Sequence, residues 1–251
     1  MSYFGTTATD FMLEIAKGNV SGHSQVNKFG ANPSVTQDTT EDVWDGGGTY
    51  SFPATALITK IAQATDQVGT DANATIELQG LDANWAEVTQ FADLDGSDTT
   101  TEVTLDTPLI RIFRMKVLEN IVLAADVSAV ATGGGTTYAT ILAGNNQTLM
   151  AIYTVPADTT AYMTSLFFSN IDATSKTPTS VDITMWAADR ANSYEFQLKH
   201  ADAMPEAGSG RQHFFKPYYV FTEKTDIKIS ASPKDQDGHV HAGFDLILVD
   251  N

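Results

Sequence analysis

The 251-residue sequence contains no cysteine, which excludes disulfide bonds, thiolate nucleophiles and zinc sites built on thiolates. It also lacks any apolar run close to the roughly 20 residues that a helix needs to cross a bilayer. Residues 1–7 place no basic stretch ahead of an apolar segment, so no secretory signal is expected. Thiol chemistry is therefore excluded, and no membrane partner is expected.

Positively charged residues are scarce as well. The chain has 14 lysines and arginines against 31 aspartates and glutamates, which gives a formal net charge of −17. A nucleic acid or an anionic membrane surface would repel such a chain. We therefore expect no nucleic acid as a partner.

The sequence does contain many short runs rich in β-branched and aromatic residues, separated by turn-forming residues at spacings of roughly 8–15 residues. The run from Ala74 to Gln79 alternates apolar and polar residues, as a strand with one buried face does. Such a pattern predicts an all-β fold built as an antiparallel sandwich or barrel. We expect residues 1–45 to form an extended arm with a short helix, residues 46–126 a first β-sandwich domain, and residues 127–251 a second. The second domain has about eight such runs, so it is expected to resemble a jelly roll, which has about eight strands.

The stretch from Gln147 to Asn170 is expected to be the nucleus of the second domain. Two apolar runs flank Pro156 and Asp158, and both of these residues favour turns. This pattern predicts a hairpin. The second run is apolar on both faces, which is typical of a strand inside a sandwich or against a partner chain.

The expected arm is rich in turn-forming residues but carries recurrent aromatic side chains. Thr9 and Asp10 can cap a short helix that runs to Lys17. A segment this polar buries little of itself, so we expect it to lie along another surface. Removal of residues 1–40 should then leave a folded protein that no longer attaches to that surface. The aromatic residues of the arm are Tyr3, Phe4, Phe11, Phe29 and Trp44, and we take Phe11, Phe29 and Trp44 as candidate interface residues.

His239 and His241 are the candidate metal ligands. Residues two apart on a strand project from the same face, so both imidazoles could reach one ion. Two ligands are too few without symmetry or further side chains. The alternative is a pair of polar residues on a solvent-facing strand, and on balance no bound metal or other cofactor is expected.

Catalytic motifs are weak. No Gly-x-Ser-x-Gly elbow is present. Asp82 or Glu87 beside Trp85 could form a glycosidase-like carboxylate pair on a carbohydrate platform, but such pairs arise by chance in an acidic chain. We therefore expect the protein not to be an enzyme.

The run from Phe214 to Phe221 is apolar on both strand faces. Only one face of a strand can contact the core of its own two-layer sandwich. The other face, which carries Phe214 and Tyr218, is therefore expected to form a subunit interface. The alternative is a platform that stacks on a glycan.

Three segments of the sequence are distinctive: Val26–Pro33, Glu41–Tyr50 and Ala151–Ala157. Together they resemble uncharacterised virion structural proteins of tailed bacteriophages. The resemblance implies a structural role on the capsid or tail, as a capsid-decorating or head-fibre protein that assembles in the host cytoplasm. It further implies a homotrimer and contact with other virion proteins such as the major capsid protein, and it brings no catalytic residues. The alternatives are a tail or neck appendage that binds a host surface glycan and a polysaccharide depolymerase.

Overall fold

The computed structural model describes residues 10–63, 74–94, 102–171, 176–189, 193, 195–205 and 208–251. Thr9, Tyr3 and Phe4 of the expected arm lie outside these residues. Within them the chain is nearly all-β, with one short helix and sixteen strands, and the strands pair antiparallel. This confirms the predicted all-β class of antiparallel β-sandwiches.

The helix α1 spans Phe11–Ala16, and the Asp10 side chain caps it by accepting the Met12 N–H at 3.0 Å. No helix among the described residues has the length and apolar character needed to cross a membrane. The strands are β1 His23–Val35, β2 Glu41–Asp42, β3 Ile58–Gln63, β4 Thr75–Leu81, β5 Glu87–Asp93, β6 Val103–Leu109, β7 Arg111–Val117, β8 Val127–Ala131, β9 Thr137–Ile141, β10 Ile152–Thr154, β11 Thr159–Asn170, β12 Val181–Ala188, β13 Phe196–Met204, β14 Gly210–Phe221, β15 Asp226–Pro233 and β16 Gly238–Asp250.

The strands form four sheets that pack as two sandwiches. In the terminal sandwich, the sheet β1-β16-β11-β14 faces the sheet β10-β15-β12-β13, and β2 also pairs with β15. In the inserted sandwich, the sheet β6-β3-β8-β9 faces the sheet β5-β4-β7. The inserted sandwich thus occupies the chain between β2 and β10.

Apolar side chains at every second position of facing strands fill the core of the terminal sandwich. On β16, every second residue from Val240 to Leu248 is buried, and Phe244 is completely buried. The strands β12 and β15 present the same pattern from the facing sheet, as the alternation in their sequences predicts. The buried residues of these three strands are Val240, Ala242, Phe244, Leu246, Leu248, Val181, Ile183, Met185, Ala187, Ile227, Ile229 and Ala231.

Residues 23–35, which were expected in the arm, form a strand of the terminal sandwich instead. The strand β1 pairs with β16 from His23 opposite Val249 to Asn32 opposite Val240. A central strand such as β16 needs a hydrogen-bonding neighbour on each side, and β1 supplies one of them. Removal of residues 1–40 would take this strand away, so the expectation that the truncated protein stays folded is corrected. Only the residues before β1 remain candidates for an arm.

Strand pairing also divides the chain differently from the expected boundary at residue 126. The strands β8 and β9 lie beside β3 in the inserted sandwich. Gly133, Gly134 and Gly135 between them all have positive φ values, from 76° to 107°. The glycine run therefore forms the turn of a hairpin. A glycine-rich hairpin turn and a domain boundary have similar sequences, because both need backbone conformations that glycine adopts easily.

The hairpin predicted around Pro156 and Asp158 is wrong. The strand β10 pairs with β15 in one sheet, whereas β11 pairs with β14 and β16 in the facing sheet. The turn, with Asp158 at a φ of 55°, thus carries the chain from one layer to the other. The strand β10 is buried throughout, and β11 alternates buried with half-buried residues, so the local apolar pattern could not show which strands they would pair with.

Pairings in the terminal sandwich nest within one another along the chain. The pairs are β1 with β16, β10 with β15, β11 with β14, and β12 with β13. A long folded-back hairpin that wraps into two sheets produces such a set, and eight strands in two sheets are what a jelly roll contains. The jelly-roll topology stays a prediction, which this order of pairing supports.

Candidate functional site

The most exposed apolar row in the described chain lies on β14, at one edge of the terminal sandwich. Phe214, Tyr218 and Val220 are 65%, 45% and 56% exposed, whereas Phe215 and Phe221 are buried. The strand pairs with β11 on one side, and no other strand of the described residues pairs with it. An exposed edge strand with an apolar outer face is a template for association with another chain.

An apolar groove of about 690 Å³ runs beside this row, between β14 and the helix α1. Met12 of α1 and Val26 of β1 line one side, and Phe214 and Tyr218 line the other. The carboxylate of Asp245 in its floor accepts hydrogen bonds from the Asn27 amide and the Ser165 hydroxyl, each at 2.5 Å. The floor is thus fixed by hydrogen bonds, while the walls expose apolar side chains.

The predicted interface residues do not all lie on this face. Phe11 is 56% exposed on α1, the same helix that lines the groove. Phe29 is half-buried, and the Arg114 guanidinium lies 5.5 Å from the centre of its ring. Trp44 is 5% exposed and packs edge-on against Tyr50 in the core of the inserted sandwich. Trp44 is therefore unavailable to a partner chain. The apolar face brings together Phe214 and Tyr218, whereas the Phe11 ring packs edge-on against His23, with 6.0 Å between the ring centres.

His239 and His241 lie side by side on β16, with their Nε2 atoms 3.2 Å apart. Burial lowers the pKa of both histidines, and the charges of His241 and Lys176 lower the pKa of His239 further. Across the part of the chain that the structure describes, no group of three or more His, Cys, Asp or Glu side chains could hold a metal ion. The pair thus shares a face, as predicted, but no third protein ligand joins it there.

An aromatic cleft of about 570 Å³ opens where the two sandwiches meet, and sequence reasoning missed it. Phe52, Trp85 and Phe196 contribute rings from three distant segments. The Arg111 guanidinium lies between two of these rings, 5.3 Å from the centre of Phe52 and 4.8 Å from that of Trp85. Lys228 lies 4.9 Å from the centre of Phe196. Aromatic walls with a few polar groups are typical of ligand sites.

The backbone around Trp85 is locked despite an unusual conformation. Trp85 has a φ of 66°, which bulky residues seldom adopt. The Asp82 carboxylate accepts the backbone N–H groups of Asn84 and Ala86, and the Trp85 carbonyl accepts the Ala157 N–H at 2.9 Å. Asp82 is therefore engaged in shaping this turn and holding the indole at the rim of the cleft.

The three segments that carry the bacteriophage resemblance meet at one point in the structure. Gly30 lies so close to Val43 and Ala151 that a Cβ at residue 30 would collide with their backbone atoms. The Ala151 N–H also donates to the Val43 carbonyl at 2.9 Å. This point is where the chain leaves the terminal sandwich and later returns to it, so the segments share a structural role in joining the sandwiches.

Acidic residues of the second segment serve the same junction. The Asp42 carboxylate accepts from the Tyr50 N–H at 2.7 Å, the Ser230 hydroxyl at 2.6 Å and the Lys228 ammonium at 2.9 Å. Asp45 is 8% exposed and accepts the Leu149 N–H at 2.7 Å. These carboxylates satisfy buried donors, which explains their place in the segment without any catalytic role.

No protein-family model matches the chain, and the search among curated proteins gives no significant match. Two solved structures that align with it are of infectious bursal disease virus. The Gt strain structure is 10% identical, with 96% of this chain and 78% of that chain covered and a TM-score of 0.22. The Gx strain structure is 11% identical, with 90% and 75% covered and a TM-score of 0.19. Similarity at these TM-scores carries no weight for fold or function.

Proposed function

We propose that this chain is a non-enzymatic structural component of a tailed-bacteriophage virion, which decorates or projects from the capsid and assembles with copies of itself. The observation that carries the proposal is the exposed apolar row on β14. A soluble protein seldom exposes such a row unless a partner covers it. The resemblance of three segments to phage virion proteins supplies the particle as the setting.

We propose that another copy of the chain covers this row, and that the copies form a closed homotrimer. Closed symmetry is the usual form of self-association, because it covers every copy of an apolar surface and leaves none free. The number three follows from the phage resemblance alone. Residues ahead of β1, including α1 with Phe11 exposed, are proposed to anchor the trimer to other virion proteins such as the major capsid protein.

Tyr218→Glu is expected to weaken this assembly at least tenfold, about 1.4 kcal/mol, while the subunit stays folded. A carboxylate buried in an interface without a partner is costly, whereas on the exposed face of an isolated subunit it stays hydrated. Sedimentation velocity of the full chain across a concentration series measures the effect, and circular dichroism checks the fold.

Phe91→Glu is the matched control for this substitution. Phe91 is 55% exposed on β5 in the inserted sandwich, away from the proposed interface, so the trimer should persist. Equal weakening by both substitutions would contradict an interface on β14. A wild-type chain that stays monomeric at high concentration would remove the proposal of self-assembly.

A second candidate function, recognition of a host surface glycan by a tail or neck appendage, is favoured by the aromatic cleft. Sugar rings stack on aromatic faces. Their hydroxyl groups can bond with the ammonium of Lys228, which also lines the cleft. The copy number of the chain in purified particles separates the two functions. A lattice protein is present in many more copies than an appendage.

Trp85→Asn is expected to abolish glycan binding if the cleft has this second function. Asparagine tolerates a positive φ, so the turn should be kept while the indole is lost. Saturation-transfer NMR with a panel of neutral mono- and disaccharides measures binding by the full chain. Trp186→Ala, on β12 and outside the cleft, is the control. The absence of saturation transfer to every sugar of the panel would remove this candidate.

A further inference from the structure

A cavity of about 250 Å³ lies where β1 of the terminal sandwich faces the inserted sandwich. Residues from both sandwiches line this junction cavity. It shares no lining residue with the aromatic cleft, and it adjoins the apolar groove of β14 across β1, since Gln25, Val26 and Asn27 line both. Its polar lining includes Gln25 and Lys28 of β1, Thr89 of β5 and Arg114 of β7. Two of these four side chains are cations in a chain whose net charge is −17.

Lys28 is the unusual member of this lining. Its side chain is 3% exposed, and its ammonium donates one hydrogen bond, to the Phe113 carbonyl. An ammonium has three N–H donors, so two remain for other acceptors. No carboxylate of the described residues forms an ion pair with Lys28. Burial, followed by the charge of Arg114, lowers the pKa of Lys28 well below its usual range.

Arg114 adds a second cation at the cavity. Its guanidinium donates to the Asn27 carbonyl at 2.9 Å and lies 5.5 Å from the centre of the Phe29 ring, which fixes its position. One carboxylate, that of Glu87, also lines the cavity. It lies 3.5 Å from the Tyr153 hydroxyl and forms no ion pair with Lys28. Burial lowers the pKa of Arg114, and the charge of Glu77 partly opposes this shift. Lys28 thus has no carboxylate partner among the described residues, and Arg114 feels the charge of Glu77 without forming an ion pair with it.

A buried cation without a counter-charge is costly, because the surrounding protein solvates it poorly. A small oxyanion would remove this cost, since its oxygens accept from ammonium and guanidinium groups in strong charge-assisted hydrogen bonds. A phosphate or sulfate ion fits in a cavity of about 250 Å³. The hydroxyl of Thr89 and the amide of Gln25 are further donors in the same lining.

We propose that the junction cavity binds a small oxyanion of the phosphate or sulfate class, held chiefly by Lys28 and Arg114. Because Lys28 lies on β1 and Arg114 on β7, the bound anion links the two sandwiches. A ligand that binds only the folded chain stabilises it by mass action, so the anion acts as a structural ion of the fold. This proposal does not depend on the assembly state or on the virion setting.

Thermal unfolding of the full chain, with chloride replaced by sulfate or by inorganic phosphate at constant ionic strength, tests the proposal. We expect the wild-type midpoint to rise and saturate, by about 3–6 °C when the anion is about tenfold above its dissociation constant. Sulfate and phosphate also stabilise proteins in general by exclusion from the surface. That general effect does not saturate at low anion concentration, and it raises the unfolding midpoint of the wild type and of the variants alike.

Lys28→Met is expected to be at least as stable as the wild type in chloride and to lose the saturable effect of both anions. Lys234→Met, which removes a lysine that is 40% exposed and lines neither the cavity nor the groove, should keep it. Arg114→Gln keeps Lys28 and should weaken the saturable rise of the midpoint. This variant tests the proposal if Lys28→Met fails to fold. No saturable rise in the wild type, or an equal rise in Lys28→Met, would overturn the proposal.

Discussion

Replacement of Arg111 by alanine is expected to lower the free energy of unfolding by about 3–5 kcal/mol, because it leaves the Asp226 carboxylate buried without its partner. Arg111 and Asp226 are 6% and 5% exposed, and two parallel hydrogen bonds of 2.7 Å join them. Arg111 lies on β7 and Asp226 on β15, so the pair ties one sandwich to the other. Equilibrium urea unfolding measures the loss.

Arg211→Ala is the matched control, since Arg211 pairs with Asp202 at 2.9 Å but its side chain is 50% exposed. Exposed ion pairs contribute about 0–1 kcal/mol, so this substitution should cost little. Removal of both charges in Arg111→Met with Asp226→Leu should recover much of the loss, because no unpaired buried charge then remains. A similar cost for Arg111→Ala and Arg211→Ala would contradict a buried electrostatic tie between the sandwiches.

Asp45→Asn is expected to stabilise the protein by about 2–4 kcal/mol at pH 8. Burial raises the pKa of Asp45 from 3.8 to about 7. The hydrogen bond from the Leu149 N–H opposes this shift, and the negative charge of Asp126 adds to it. At pH 8 the carboxylate is therefore held ionised in a site that disfavours its charge. Asparagine keeps an oxygen that can accept the Leu149 N–H and carries no charge.

The sign of the pH dependence follows from the same shift. Between about pH 7 and pH 4 the folded chain takes up a proton at Asp45 before the unfolded chain does, so this group makes the wild type more stable as pH falls. The gain of Asp45→Asn over the wild type should therefore shrink from pH 8 to pH 4. Urea unfolding at several pH values measures this, with exposed Asp106→Asn as the control for loss of one negative charge. A gain that does not change with pH would show that Asp45 does not titrate as described.

The sequence predicted the features of the fold that depend on local periodicity, namely the all-β class and the faces on which strand residues lie. Alternation along the run from Ala74 to Gln79 identified the buried face of β4, because side chains two apart on a strand share a side, and Ile76 and Leu78 are completely buried. The same rule separated Phe215 and Phe221, which are buried, from Phe214 and Tyr218, which are exposed. Fold class and the exposed row of β14 therefore follow from the order of the residues alone.

Pairing between distant segments was not accessible in this way. Nothing local to His23–Val35 shows that it pairs with a strand more than 200 residues later, since its turn-forming residues also fit an arm. Trp44 illustrates the related limit for sites, because an aromatic residue in a polar segment can cover a core as well as a partner. The partners that define the aromatic cleft and the junction cavity come from both sandwiches, and only the fold brings them together.

Immunogold electron microscopy of particles assembled from a genome that encodes this chain tests the proposed virion role most directly. An antibody raised against the purified chain should label intact particles at regular positions on the capsid surface, because the protein is proposed to be a built-in component with a projecting terminal sandwich. Label confined to the tail or neck would favour the appendage. Purified particles that carry no label and no trace of the chain by mass spectrometry would contradict a structural role in the virion.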